Sequence, residues 1–227
     1  MCFSATASFT LSGVLGAVGA ASIARTTQPA TRLFASIPML FGLQQFAEGV
    51  VWSTMDAPTH IALHNAAVVS FLALALVIWP LWAPLSLWLI EPSGIRRRVQ
   101  RSFFFLGIII AGVAAHLLLR WEPFAVVAGR SIDYQHARMG VAIPDFVLLL
   151  AYAIPTVASF LVSTATMVRT IGSTLCVSLV LAFVIKQEAL TSVWCFFAAV
   201  LSVMILVAVT RMNESPAMLV APPRVSA

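Results

Sequence analysis

Three polar side chains within one apolar stretch carry the first chemical signal. Gln44, Gln45 and Glu48 fall inside Phe34–Thr54, a run long and apolar enough to cross a bilayer. Gln44 and Glu48, four residues apart, share one helix face. Gln45, Glu48 and Trp52, three and then four apart, form a neighbouring stripe. A carboxylate inside a span must take up a proton or find a partner, and such residues mark function by default. Glu48 is therefore the first candidate for an acid/base or ligand-anchoring group. Its plainer role is an interhelical hydrogen-bond clamp.

Histidines and cysteines supply the second signal. His60 and His64, also four apart, can point the same way and hold one transition metal ion such as zinc or copper, with Asp56 just before them. They lack the carboxylate of an HExxH helix motif. His116 lies one turn before Arg120 near a span end, and Asp145 follows Pro144 at the start of another span, where it can also cap the helix. Ser192, Trp194 and Cys195 open the last span, and Cys2 lies at the amino terminus. The metal candidates are His64, His116, Cys2 and Cys195; the ligand-binding candidates are Gln44, Gln45, Glu48, Trp52, Ser192 and Trp194. For Cys2 and Cys195 a disulfide, shared metal ligation and free thiols all stay open. Cys176 reads as a small packing residue.

These residues have to be held by membrane helices. The chain has 227 residues, 61% apolar and 9% charged, with a mean hydropathy of +1.00. Soluble domains have roughly 25% charged residues, and disorder needs low hydrophobicity, so both classes are excluded. The net charge of +5 is spread between apolar runs, which argues against a nucleic-acid-binding face. Seven apolar stretches can be marked: about 8–24, 34–54, 60–82, 102–119, 141–163, 168–185 and 191–210. The expected fold is an all-α bundle of seven transmembrane helices over 1–212, followed by a flexible tail, 213–227. The third stretch stays apolar to Ile90 and contains Pro80 and Pro84. It is either a kinked span followed by a surface segment from Pro84 to Glu91, or one longer tilted helix. This is the only helix break visible in the sequence. Phe124–Ala128 and Ser131–Tyr134, either side of Gly129-Arg130, look like a short hairpin that could lie over a pocket as a lid.

Alternating the loops puts nine basic residues on one side (Arg25, Arg32, Arg96, Arg97, Arg98, Arg101, Arg169, Arg211, Arg224) and four on the other (Arg120, Arg130, Arg138, Lys186). Lys and Arg collect in cytoplasmic loops, which places the amino terminus outside and the carboxyl terminus inside. On that orientation the polar candidates gather in the outer half. The inner half offers mainly Ser and Thr besides its arginines.

Met1-Cys2-Phe3-Ser4-Ala5, the segment Gln44–Trp52 and the segment Thr191–Phe197 resemble a family of small uncharacterised bacterial multi-pass membrane proteins beginning Met-Cys-Phe-Ser-Ala. The resemblance implies a bacterial inner-membrane location and one site built from these three segments. A looser analogy is to the seven-helix hydrolases of the alkaline ceramidase and adiponectin-receptor type, which hold zinc with histidines and an aspartate. This chain lacks their paired histidines in the last span.

The expected function is therefore binding or sensing of a metal or small polar ligand in an outward-facing pocket, within the lipid bilayer and with no nucleic-acid partner. A membrane-embedded metal hydrolase with Glu48 as general base is the alternative. A small-molecule transporter is the second, and it would need two interrupted helices where the sequence displays one. A retinal protein is disfavoured, because Lys186, the lone lysine, precedes the last span.

Overall fold

A computed structural model of the chain describes residues 4–55, 58–128, 131–135, 145–185 and 190–214. Their helices form seven rods. Helix α1 is Ala5–Ala24, capped by the Ser4 hydroxyl, which accepts from the Ala7 amide at 3.2 Å. After the short turns Pro29–Thr31 and Arg32–Ala35 comes α2, Ile37–Thr54. Helix α3 is Ile61–Ala73 and Trp79–Ile90 joined by a π turn, Leu74–Ile78. Helix α4 is Ile95–Arg120. Strands β1 (Phe124–Ala128) and β2 (Ser131–Gln135) pair antiparallel, Phe124 opposite Gln135 and Ala128 opposite Ser131. Helix α5 is Asp145–Ala153 and Ser159–Val162 joined by a second π turn, Ile154–Ala158. Helices α6 (Thr166–Ile185) and α7 (Leu190–Glu214) complete the bundle.

Four segments are long and apolar enough to cross a membrane: Ala5–Ala24, Ile61–Ile90, Ile95–Arg120 and Phe197–Glu214. The chain is a multi-pass membrane protein. Of the two readings for the third span the longer helix holds: Pro84 sits inside a rod that runs on to Ile90. The expected hairpin forms at the expected residues. Helix α7 still carries Asn213 and Glu214, the first residues of the expected tail; 215–227 lie outside the described residues.

The helices divide by burial, and the division explains how a greasy bundle carries a carboxylate. On α4 only Gln100, Gly107 and Ala111 are buried, so most of its surface is left for lipid. On α2 eleven of eighteen residues are buried, including Gln44, Gln45 and Glu48. Helix α2 is thus the central rod, with α1, α3 and α7 against it. Glycines bring α1 close. A Cβ at Gly19 would meet the Met39 backbone at 2.6 Å, one at Gly42 the Gly16 nitrogen at 3.0 Å, and one at Gly49 the Phe9 ring at 2.8 Å. These three contacts define one antiparallel register, the small-residue packing by which membrane helices associate.

The π turn in α3 has a definite chemical consequence. The Trp79 amide bonds back five residues to the Leu74 carbonyl. In that register the Ala75 carbonyl would be served by residue 80, which is proline and has no N–H. Tyr152 of α5 replaces the missing donor, its hydroxyl bonding the Ala75 oxygen at 2.7 Å. Tyr152→Phe should therefore cost about 1 kcal/mol by leaving a partly buried carbonyl without its donor. Thermal unfolding in detergent measures this, and an unchanged melting temperature would contradict the assignment. The second break, around Pro155, had no clear sequence signal, since a lone proline within an apolar run also suits an ordinary kink.

The arginine-rich loops meet at one end of the bundle. Arg96 and Arg169 both donate to the Ser163 carbonyl, at 3.2 and 3.3 Å. Asn213 takes a 2.9 Å bond from the Thr27 hydroxyl and donates to the Arg25 carbonyl. Trp82 donates to the Leu33 carbonyl at 3.1 Å.

Candidate functional site

The glutamate is in the interior. Glu48 is 0% exposed, Gln45 is buried one turn before it, and the two side chains share a hydrogen bond. Against the α1 register Glu48 lies near the level of Phe9 and Ser8, and Ser8 is also fully buried. Gln44 turns elsewhere. Its Oε1 accepts from the Trp79 indole N–H at 2.8 Å, which fixes α2 to α3 just past the π turn. The three polar residues read as one cluster are thus two arrangements: an α2–α3 clamp at Gln44, and a Gln45–Glu48 pair.

The hairpin packs over one end of this region. Alternation along β2 puts Ile132 and Tyr134 on one face. Ile132 is buried in an apolar cluster with Ala47, Val51, Val68 and Phe71, and Tyr134 stacks on Phe71 with ring centroids 4.3 Å apart. Trp52 borders the same cluster, and β2 also touches α7. Burial pushes the Tyr134 phenol far above its usual range, and the neighbouring Glu48 adds to the shift. The hydroxyl therefore stays protonated and keeps a proton to donate.

The histidines do not converge. His64 Nδ1 lies 2.9 Å from the Thr54 hydroxyl and joins the α2 end to α3, whereas His60 is exposed. His116 is exposed on α4. Among the described residues no three His, Cys, Asp or Glu side chains come together as a metal set. Cys176, read as a packing residue, is exposed on α6. Asp145, Ser192, Trp194 and Cys195 sit at described backbone positions in α5 and α7, but their side chains lie outside the described residues, as do Cys2, Asp56 and Lys186 altogether.

Two features were missed. A small apolar cavity, about 30 Å³, lies between the helices, with Phe41, Trp79, Tyr152, Thr156 and Phe160 among its walls. The arginine-rich end also has a buried polar network of its own. Glu91 is 2% exposed; it accepts from the Ser163 hydroxyl at 2.9 Å, from the Thr164 amide at 2.8 Å and from the Thr164 hydroxyl. Gln100, fully buried, donates to the Ser159 carbonyl at 2.6 Å. The expectation that this end offers mainly Ser and Thr is corrected accordingly. Nothing local in the sequence singles out Glu91, because its partners are 72 and 73 residues away.

No curated protein and no solved structure matches this chain. Residues 1–219 do match a family model, covering the helices, the hairpin and the Gln45–Glu48 pair together, and the chain belongs to that family, a family of unknown function (DUF6629).

Proposed function

We propose that the protein crosses the inner membrane seven times, with its amino terminus outside and its carboxyl terminus in the cytoplasm, and binds or senses a small polar ligand at Glu48. The observation that carries this reading is the complete burial of Glu48 in the central helix, beside Gln45 and under the hairpin. An ionisable side chain at that depth is expensive to keep and is by default functional. Tyr134 supplies a donor near the carboxyl group, and Trp52 borders the approach. Such a centre suits a small ligand bearing a positive charge and a hydrogen-bond acceptor. The clustering of arginines at the opposite end supports the orientation. The two histidines lend nothing to metal-dependent hydrolysis, since His64 is engaged by Thr54 and His116 faces outward.

Thermal unfolding with added ligands tests the reading. Alkylammonium ions, amino acids and divalent metal ions are added in turn to the purified protein. A ligand at one hundred times its Kd stabilises by about 2.7 kcal/mol. That stabilisation should appear with at least one of these probes and vanish in Glu48→Gln, which keeps shape and removes charge. Equal stabilisation of both proteins would sink the proposal.

A second reading, small-molecule transport, is favoured by one observation. Helices α3 and α5 are both interrupted by π turns next to prolines, and they touch through Tyr152 and Ala75 beside the central cavity. Interrupted helices meeting within a bundle are the elements that transporters move.

A further inference from the structure

The junction of α3 and α4 forms a groove of about 460 Å³, lined by Trp88, Ser93, Gly94, Arg97, Arg98 and Arg101. Arg101 follows Arg98 by three residues and Arg97 by four, so it is the helix-face neighbour of each, and all three line the groove. Arg96, on another face, is engaged with the Ser163 carbonyl. Glu91, the acid that precedes the groove in the sequence, is held by Ser163 and Thr164, and the residues that line the groove include three arginines and no acid. The helix also begins here without a side-chain cap. Gly94 stands at the N-cap with φ 144° and itself lines the groove, so no side chain caps the first amides of α4.

What continues from the groove identifies the ligand. Beyond Ser102 the exposed surface of α4 is apolar for about three turns, as far as His116, through Phe105, Ile108, Ile109 and Val113. Trp88 packs against Phe104 at 5.8 Å, an aromatic edge where a bilayer's polar and apolar zones meet. The surface thus pairs a cationic pocket with an adjoining strip for hydrocarbon. We propose that this groove is a binding site for one anionic phospholipid, its phosphate held by Arg97, Arg98 and Arg101 and its acyl chains lying along α4. Guanidinium groups hold phosphate bidentately, which lysines cannot reproduce.

Native mass spectrometry of the detergent-solubilised full chain, offered equal phosphatidylglycerol and phosphatidylcholine, tests this. The wild-type protein should retain phosphatidylglycerol about tenfold over phosphatidylcholine, a modest return on three interfacial arginines. The triple variant Arg97→Lys, Arg98→Lys, Arg101→Lys keeps the charge that sets topology, and its preference should fall to about threefold or less. Arg120→Gln, at the other end of α4, should leave it unchanged. Millimolar inorganic phosphate should not displace the lipid. Equal retention of both lipids, full preference in the lysine variant, or displacement by phosphate alone would each overturn the proposal. The first would mean no anionic site, the second diffuse attraction, and the third a site for free phosphate.

Discussion

Gly107→Ala unfolds or loosens the bundle, while Gly112→Ala, five residues on in the same helix, leaves it intact. That is the expected outcome of one of the closest backbone contacts in the protein. A Cβ at Gly107 would sit 1.9 Å from the Pro80 carbonyl oxygen and 2.9 Å from its carbon, whereas a Cβ at Gly112 meets nothing within 4 Å. The obstruction at Gly107 is backbone, so no side-chain rotation relieves it. The contact has a cause in α3. Within a helix the Pro80 oxygen would accept from residue 84, and Pro84 has no amide hydrogen. The uncapped carbonyl is turned toward α4, and only a residue without a side chain allows α4 to approach it. Separating the two helices by the width of a methyl group should cost about 3 kcal/mol, the upper part of the overpacking range. Helix propensity pulls the other way, since alanine is favoured over glycine by up to about 1 kcal/mol. Gly112→Ala should therefore be neutral or slightly stabilising. Paired melting curves in the same detergent decide the matter, and coincident curves for the two variants would refute the contact.

The same contact shows how far the sequence could be read. Continuous apolar runs announced the helices, because each needs no partner but itself to satisfy its backbone. The hairpin was legible because its two strands are separated by two residues, so their pairing is local. Glu48 stood out because a carboxylate in an apolar run is a local contradiction. What could not be read was pairing across distance. Gln44 and Glu48 share a face in the sequence, yet Trp79, 35 residues on, takes Gln44 away from that cluster. His60 and His64 have metal-ligand spacing, but a threonine ten residues before His64 claims one ring and leaves the other outside. The glycines offered a signal that went unread. Gly16 and Gly19 are three apart on α1, and Gly42 and Gly49 are seven apart on α2, each pair on one helix face as a close contact requires. Which helix would receive them was a matter of tertiary packing.

Glu91→Ala should be the most damaging single side-chain change at the arginine-rich end, costing about 3 kcal/mol. The carboxylate closes α3 and reaches the loop between α5 and α6, where it accepts from three donors on Ser163 and Thr164. Hydrogen bonds to a charged acceptor contribute about 1.5–3 kcal/mol each, and they are not additive when they share one group. Ser163 is buried, so water cannot readily replace the lost acceptor there; Thr164 is partly open and recovers some of its loss. The effect should spread along the loop. The Ser163 and Thr164 carbonyls receive Arg169, and Ser163 also receives Arg96, so losing the carboxylate frees a segment that orients two arginines. Glu91→Gln should be intermediate, because its carbonyl oxygen still accepts while its amide nitrogen opposes the Thr164 N–H. A double-mutant cycle with Ser163→Ala measures the coupling: the double variant should be less unstable than the sum of the two single losses, since only the Ala165 amide's bond to the Ser163 oxygen is lost independently of Glu91. Strict additivity of the two single losses would show that Ser163 and Glu91 act independently and that the carboxylate holds the loop by some other contact.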